Sequence, residues 1–210
     1  MTPGLRKFAL TTHVTSSVGW IGAVGAFLAL AVAGLGSQDA QIVRAAYLAM
    51  HLTTWFVIVP LSLAALLTGI VQSLGTSWGL FRHYWIVTKL LLTFLATIIL
   101  LIHTQPIDRV AAVASQTTLG FGDLRQVRIQ LVGDVCAALF VLLVTTTLSV
   151  YKPWGMTSYG LRKQNEETAA WRPPSTRQLA PWGRYVLFGI MAVVLLVLLL
   201  HLAGIGLHAH

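Results

Sequence analysis

Charge is what this 210-residue chain has least of: Asp, Glu, Lys and Arg together make up only 10% of it. A soluble domain carries about a quarter, so a water-facing globule of this composition is excluded. Acidic residues are scarcest, six against fourteen basic ones, leaving a formal net charge of +8 and a pI near 10.3. No nucleic-acid partner is expected from that excess, because the basic residues cluster between apolar runs, where membrane insertion calls for them. Cysteine is reduced to Cys136, which rules out an internal disulfide and a cysteine-built zinc cage. Lying within an apolar run, it reads as an inert small hydrophobe. No H-E-x-x-H or P-loop motif occurs, and no catalytic residue is assigned.

What is present is apolar. Hydrophobic residues make up 56% of the chain and the mean hydropathy is +0.77. They arrive in blocks of about twenty, the length that crosses a ~30 Å hydrocarbon core. Five spans follow, over residues 11–35, 43–73, 84–103, 127–150 and 184–202. The expected fold is therefore all-α: a polytopic membrane protein with a four-helix transmembrane core (1–150), a basic linker (151–182), and a fifth, peripheral transmembrane helix with a short tail (183–210). The fifth span is apolar all round until His201, which suits a helix facing lipid. The first is too long and too polar, with His13, Thr15, Ser16 and Ser17, for a cleaved signal peptide. Pro60, midway along the second, predicts a kink. Between the third and fourth spans, Ile107, Val110, Ala111 and Ala114 share one face of a short helix after Pro106. That helix is expected on the outer surface, its apolar face against lipid or bundle.

Lysine and arginine counts set the expected orientation. With the N-terminus in the cytoplasm, nine basic residues fall inside (Arg6, Lys7, Arg82, Lys152, Arg162, Lys163, Arg172, Arg177 and Arg184). Four fall outside: Arg44, Arg109, Arg125 and Arg128. The C-terminus then lies outside. The linker's Trp154, Tyr159, Trp171 and Trp182 suit the headgroup boundary, and its plainest reading is a segment hugging that interface.

Ionisable groups within spans are expensive and usually face the bundle interior. They sort into two layers. The inner one holds His13 and Lys89, each with a helical stripe beside it: His13, Ser17 and Trp20 on the first span, Trp85, Lys89 and Thr93 on the third. Such a pair could hold an anion, ligate a metal or haem, or move a proton; the plainer alternative is a snorkelling lysine and a hydrogen-bonded histidine. The outer layer holds His51, His103, Asp134 and His201. A carboxylate among imidazoles could orient a metal-ligating histidine through its second nitrogen, and two histidines can clamp a b-type haem. Small residues on the first span (Gly19, Gly22, Ala23, Gly25, Ala26 and Ala29) are expected to let a neighbouring helix approach closely.

The stretch His13-Val14-Thr15-Ser16-Ser17-Val18-Gly19-Trp20-Ile21-Gly22 resembles the H-x6-W-x-G start of a superfamily of small bacterial membrane proteins. That group includes the copper-resistance D-type proteins and the HemJ-type protoporphyrinogen oxidases. Trp85-Ile86-Val87-Thr88-Lys89-Leu90, followed by His103, is similar to their W-x3-K-L helix and distal histidine. The resemblance covers about the first 105 residues and implies a bacterial cytoplasmic membrane and haem binding at His13 and Lys89. The long basic linker and fifth span depart from the HemJ pattern. Three functions stand open at this point. The first is a haem- or metal-binding membrane protein, with haem b or copper on His13, Lys89, Trp20 and His51 or on His51, His103 and Asp134. The others are a transporter with a polar path through the bundle, and a non-catalytic partner docking a membrane or cytoplasmic protein through residues 151–182.

Overall fold

The computed structural model describes residues 2–75, 80–115, 125–152 and 155–169. The expected fifth span, with His201, and the aromatic residues Trp154, Trp171 and Trp182 lie outside them. Among the described residues there are helices and no strand. Four rods are long and apolar enough to cross a membrane: Pro3–Gly36, Ala40–Gly75, Tyr84–Ser115 and Arg125–Tyr151. The chain is a polytopic, all-helical membrane protein.

Helix α1 (Pro3–Gly36) starts where Thr2 accepts the Leu5 N–H and Pro3 takes the first turn, a position where its missing N–H costs nothing. At 34 residues it is about 51 Å long at 1.5 Å per residue, well beyond the apolar core. Trp20, Val24, Phe27, Ala31 and Gly34 form its buried stripe, stepping by four and three. Asp39 then caps α2 (Ala40–Thr53) by accepting the Gln41 N–H at 2.8 Å.

The second rod runs α2, a π-helical turn (Thr54–Ile58), then α3 (Val59–Gly75). Pro60 accounts for the turn. It has no N–H to offer Phe56, and its ring crowds that carbonyl, so the backbone widens and Val59 N–H reaches back five residues to Thr54 O. The buried positions Met50, Thr54, Ile58 and Ser62 are each four apart. In a straight α-helix three such steps overrun the face by about 120°; the wide turn absorbs the excess. The expected kink at Pro60 is thus a π turn that ends two residues upstream, at Ile58.

The third rod is α4 (Tyr84–Ile102) and α5 (Thr104–Ser115), broken only at His103. Pro106 cannot donate to Ile102 O, and side chains serve neighbouring carbonyls instead. His103 Nδ1 donates to Ile99 O at 2.8 Å and Thr104 Oγ1 to Leu101 O at 2.9 Å. The shared face of Ile107, Val110, Ala111 and Ala114 is buried. It lies against the bundle, one of the two places expected for it. Asp108 sits beside His51 and Trp55, while the Ser115 carbonyl accepts from Arg44, so α5 runs antiparallel along α2 and lengthens the third rod.

Helix α6 (Arg125–Tyr151) closes the bundle. Its Arg128 clamps the far end of α1, donating through Nε to Tyr47 Oη at 2.9 Å and through Nη2 to Gly34 O. The Tyr47 ring lies against Gly34, where a Cβ would come within 2.9 Å of it, so this glycine permits the close approach. The small residues further up α1 behave otherwise. Gly22, Ala26 and Ala29 are exposed, and nothing lies within 4 Å of a Cβ placed on Gly22 or Gly25. Among the described residues these seat no neighbouring helix, whereas Gly19 packs on Leu61 and Ala23 against the core. Within the expected linker a further helix forms, α7 (Ser158–Ala169). Thr157 caps it by accepting the Gly160 N–H, and its own N–H donates to Arg82 O at 2.9 Å. This pins the segment to the α3–α4 connection.

Candidate functional site

The two stripes expected around the inner histidine and lysine line one cavity of about 620 Å³ at the end of the bundle nearest the N-terminus. His13, Ser17 and Trp20 come from α1, and Trp85, Lys89 and Thr93 from α4. The volume lies within the ~300–1,000 Å³ typical of small-molecule sites. Helix α3 supplies what holds His13. Its Nδ1 lies 3.1 Å from both Ala65 O and Thr68 Oγ1. A carbonyl can only accept, so Nδ1 carries the proton and Nε2 bears the lone pair. That lone pair faces Lys89, whose Nζ is 3.4 Å away. Gly69 makes the fit possible, because a Cβ there would stand 3.1 Å from His13 Cε1. Gln72 donates to Ala9 O at 2.8 Å and ties α3 to α1 beside the cavity.

The mouth is basic. Arg6 and Lys152 both contribute to the lining, and Lys152 holds a left-handed backbone with φ 44° just past the end of α6. That conformation costs a non-glycine residue about 1–2 kcal/mol. The rest of the wall is largely apolar, ending at Trp20, which is 4% exposed. The cavity therefore combines an apolar body, cationic groups at the rim and one imidazole lone pair.

A second, smaller cavity of about 120 Å³ lies beyond Trp20 and Leu142, which line both. At its polar end His103 Nε2 stands 3.4 Å from Asp134 Oδ2, with side chains 8% and 13% exposed. Nδ1 of His103 donates to Ile99 O, which turns its Nε2 towards the Asp134 carboxyl.

The outer residues thus divide. His51 does not join His103 and Asp134; its Nε2 is 3.3 Å from Asp108 Oδ1, which also accepts from Trp55 Nε1 at 3.0 Å. Among the described residues no three of His, Cys, Asp and Glu gather to hold a metal ion. The metal set of His51, His103 and Asp134 is therefore not assembled, because the break before Pro106 turns His103 towards α6 while α5 brings its own carboxylate to His51. His51 is also absent from the lining of the cavity that holds His13, Lys89 and Trp20.

Sequence reasoning passed over Asp108 and the α3 groups around His13. The signal for the latter was there: Ala65 and Gly69, small residues four apart, mark a close approach. The letters Gly75-Thr76-Ser77-Trp78-Gly79 also spell G-x-S-x-G. That motif needs a strand before its serine, and here α3 precedes it, so it carries no catalytic reading.

These features define a class, a multi-pass helical membrane protein with an imidazole–amine pair in an apolar cavity. No protein-family model, curated protein or solved structure matches the chain.

Proposed function

We propose that the protein binds haem b in the larger cavity, with His13 as the iron ligand, in the cytoplasmic membrane of a bacterium and with its N-terminus inside. The observation that carries this reading is the state of His13. Metal-ligating histidines characteristically donate one ring N–H to a backbone carbonyl and present the other nitrogen. His13 donates to Ala65 O, and its Nε2, 3.4 Å from Lys89 Nζ, would take the iron once that lysine turns to a carboxylate of the ligand. Lys89, Arg6 and Lys152 supply cations for the ligand's carboxylates, and the apolar wall suits its macrocycle. When bound, such a group supplies one-electron chemistry, with its potential set by the axial ligand and the surrounding polarity. The protein's own part is to fix the imidazole tautomer, exclude water and neutralise the acidic edge. The orientation rests on the nine basic residues at one set of chain ends and turns against four at the other.

A permeation path is the weaker reading, because the wall shared by the two cavities is Trp20 and Leu142, which offer an ion no partner. Purified from haem-replete cells, the protein is expected to show a Soret band that His13→Ala removes and Lys89→Ala weakens. A colourless wild-type preparation, or a band unchanged in His13→Ala, refutes the assignment.

A further inference from the structure

The smaller cavity has a different chemistry. Its walls are apolar apart from Thr54, whose hydroxyl donates to Met50 O, and one end, where the buried His103–Asp134 pair stands. The lining residues Leu95 and Ile99 of α4 and Ala138 of α6 are only half-buried, so among the described residues the space lies close to the outside of the bundle between these two helices. At about 120 Å³ it is close to the ~150 Å³ apolar cavity that admits benzene. One six-membered ring fits, with room for little else.

The polar end narrows the choice. A divalent cation would need a third ligand, and none gathers there among the described residues. A plain acyl chain would leave the buried pair facing hydrocarbon. An anionic headgroup would meet the Asp134 carboxyl. What remains is a neutral ring bearing oxygen, able both to accept a hydrogen bond and to give one. We infer that this lateral cavity binds the ring of a membrane-soluble quinone or its quinol, with His103 and Asp134 at a ring oxygen and the tail left in the bilayer. An imidazole nitrogen beside a carboxyl can supply a donor for a quinone carbonyl or an acceptor for a quinol hydroxyl. The site stands on residues distinct from His13 and Lys89 and does not depend on haem.

Calorimetric titration of the full-length, detergent-solubilised protein with 2-decyl-1,4-benzoquinone, whose ring carries only its two oxygens and the tail, tests it, with decanol as competitor. Saturable binding at one equivalent is expected, resistant to decanol. Ala138→Phe, which fills the ring space, is expected to abolish it. Asp134→Asn weakens it by about tenfold, as befits loss of one buried charged hydrogen bond. His13→Ala keeps wild-type affinity, so failure of the haem reading and failure of this one are told apart. Absence of saturable binding to wild-type protein, equal displacement by decanol, or unchanged affinity in Ala138→Phe or Asp134→Asn overturns the inference.

Discussion

At the scale of single residues, two glycines on facing helices do opposite things, and the difference is measurable. Gly69 leaves 3.1 Å for the edge of His13, whereas a Cβ on Gly22 meets nothing within 4 Å. Gly69→Ala must push the imidazole off Ala65 O by a few tenths of an ångström. The expected cost is on the order of 1 kcal/mol, read as a lower thermal midpoint together with a weaker Soret band. Gly22→Ala, adding a methyl to the exposed side of a helix, should leave both unchanged or raise the midpoint slightly. Equal effects from the two would remove Gly69 from the site. The sequence could place His13 and Trp20 on one stripe, because helical periodicity fixes which residues share a face. It could not say which helix lies opposite, since that depends on packing angles between rods.

At the scale of elements, the hydropathy pattern made the four rods legible, and the spacing of Ile107, Val110, Ala111 and Ala114 gave the buried face of α5. What escaped was the pairing of the outer groups. Two prolines decide it: Pro106 breaks α4 at His103, and Pro60 widens the turn beyond Thr54. Periodicity does not show either distortion, so the sequence groups His51 with His103 and Asp134, whereas its carboxylate partner is Asp108 and only the other two meet. Helix α5 is held to the second rod partly by Asp108, which serves His51 and Trp55 together. Both members of the ion pair are about two-fifths exposed, so Asp108→Ala should cost less than about 1 kcal/mol of overall stability. Its effect should be local. Amide hydrogen exchange over Thr104–Ser115 is expected to quicken while α1 and α6 stay as protected as in wild type. Uniform loss of protection across the bundle would contradict this.

For the whole molecule, the exposed surface is itself apolar: Val18, Phe56, Leu67, Phe94 and Phe140 are among the large hydrophobic side chains on the outside. A soluble protein rarely shows such patches without covering them, and lipid covers them here. The proposed orientation can be checked on intact cells. A reporter active only outside the cytoplasm should work when fused after Gln38 and stay silent when fused after Arg82; the reverse pattern would invert the topology. The widened turn at Thr54–Ile58 has a consequence for the same bundle. It stores one residue more than a plain helix would hold there. Removing a single residue from that turn would let the second rod run as unbroken α-helix, with Met50 and Ser62 eleven steps apart and still within about 20° of one face. Straightening the turn with all its residues kept would instead swing one side by about 120° against the other. Met50 could then no longer face inward together with Ala65 and Thr68, the supports of His13. The turn therefore works as a phase adjuster, and at the centre of this rod a one-residue deletion should be tolerated far better than a one-residue insertion.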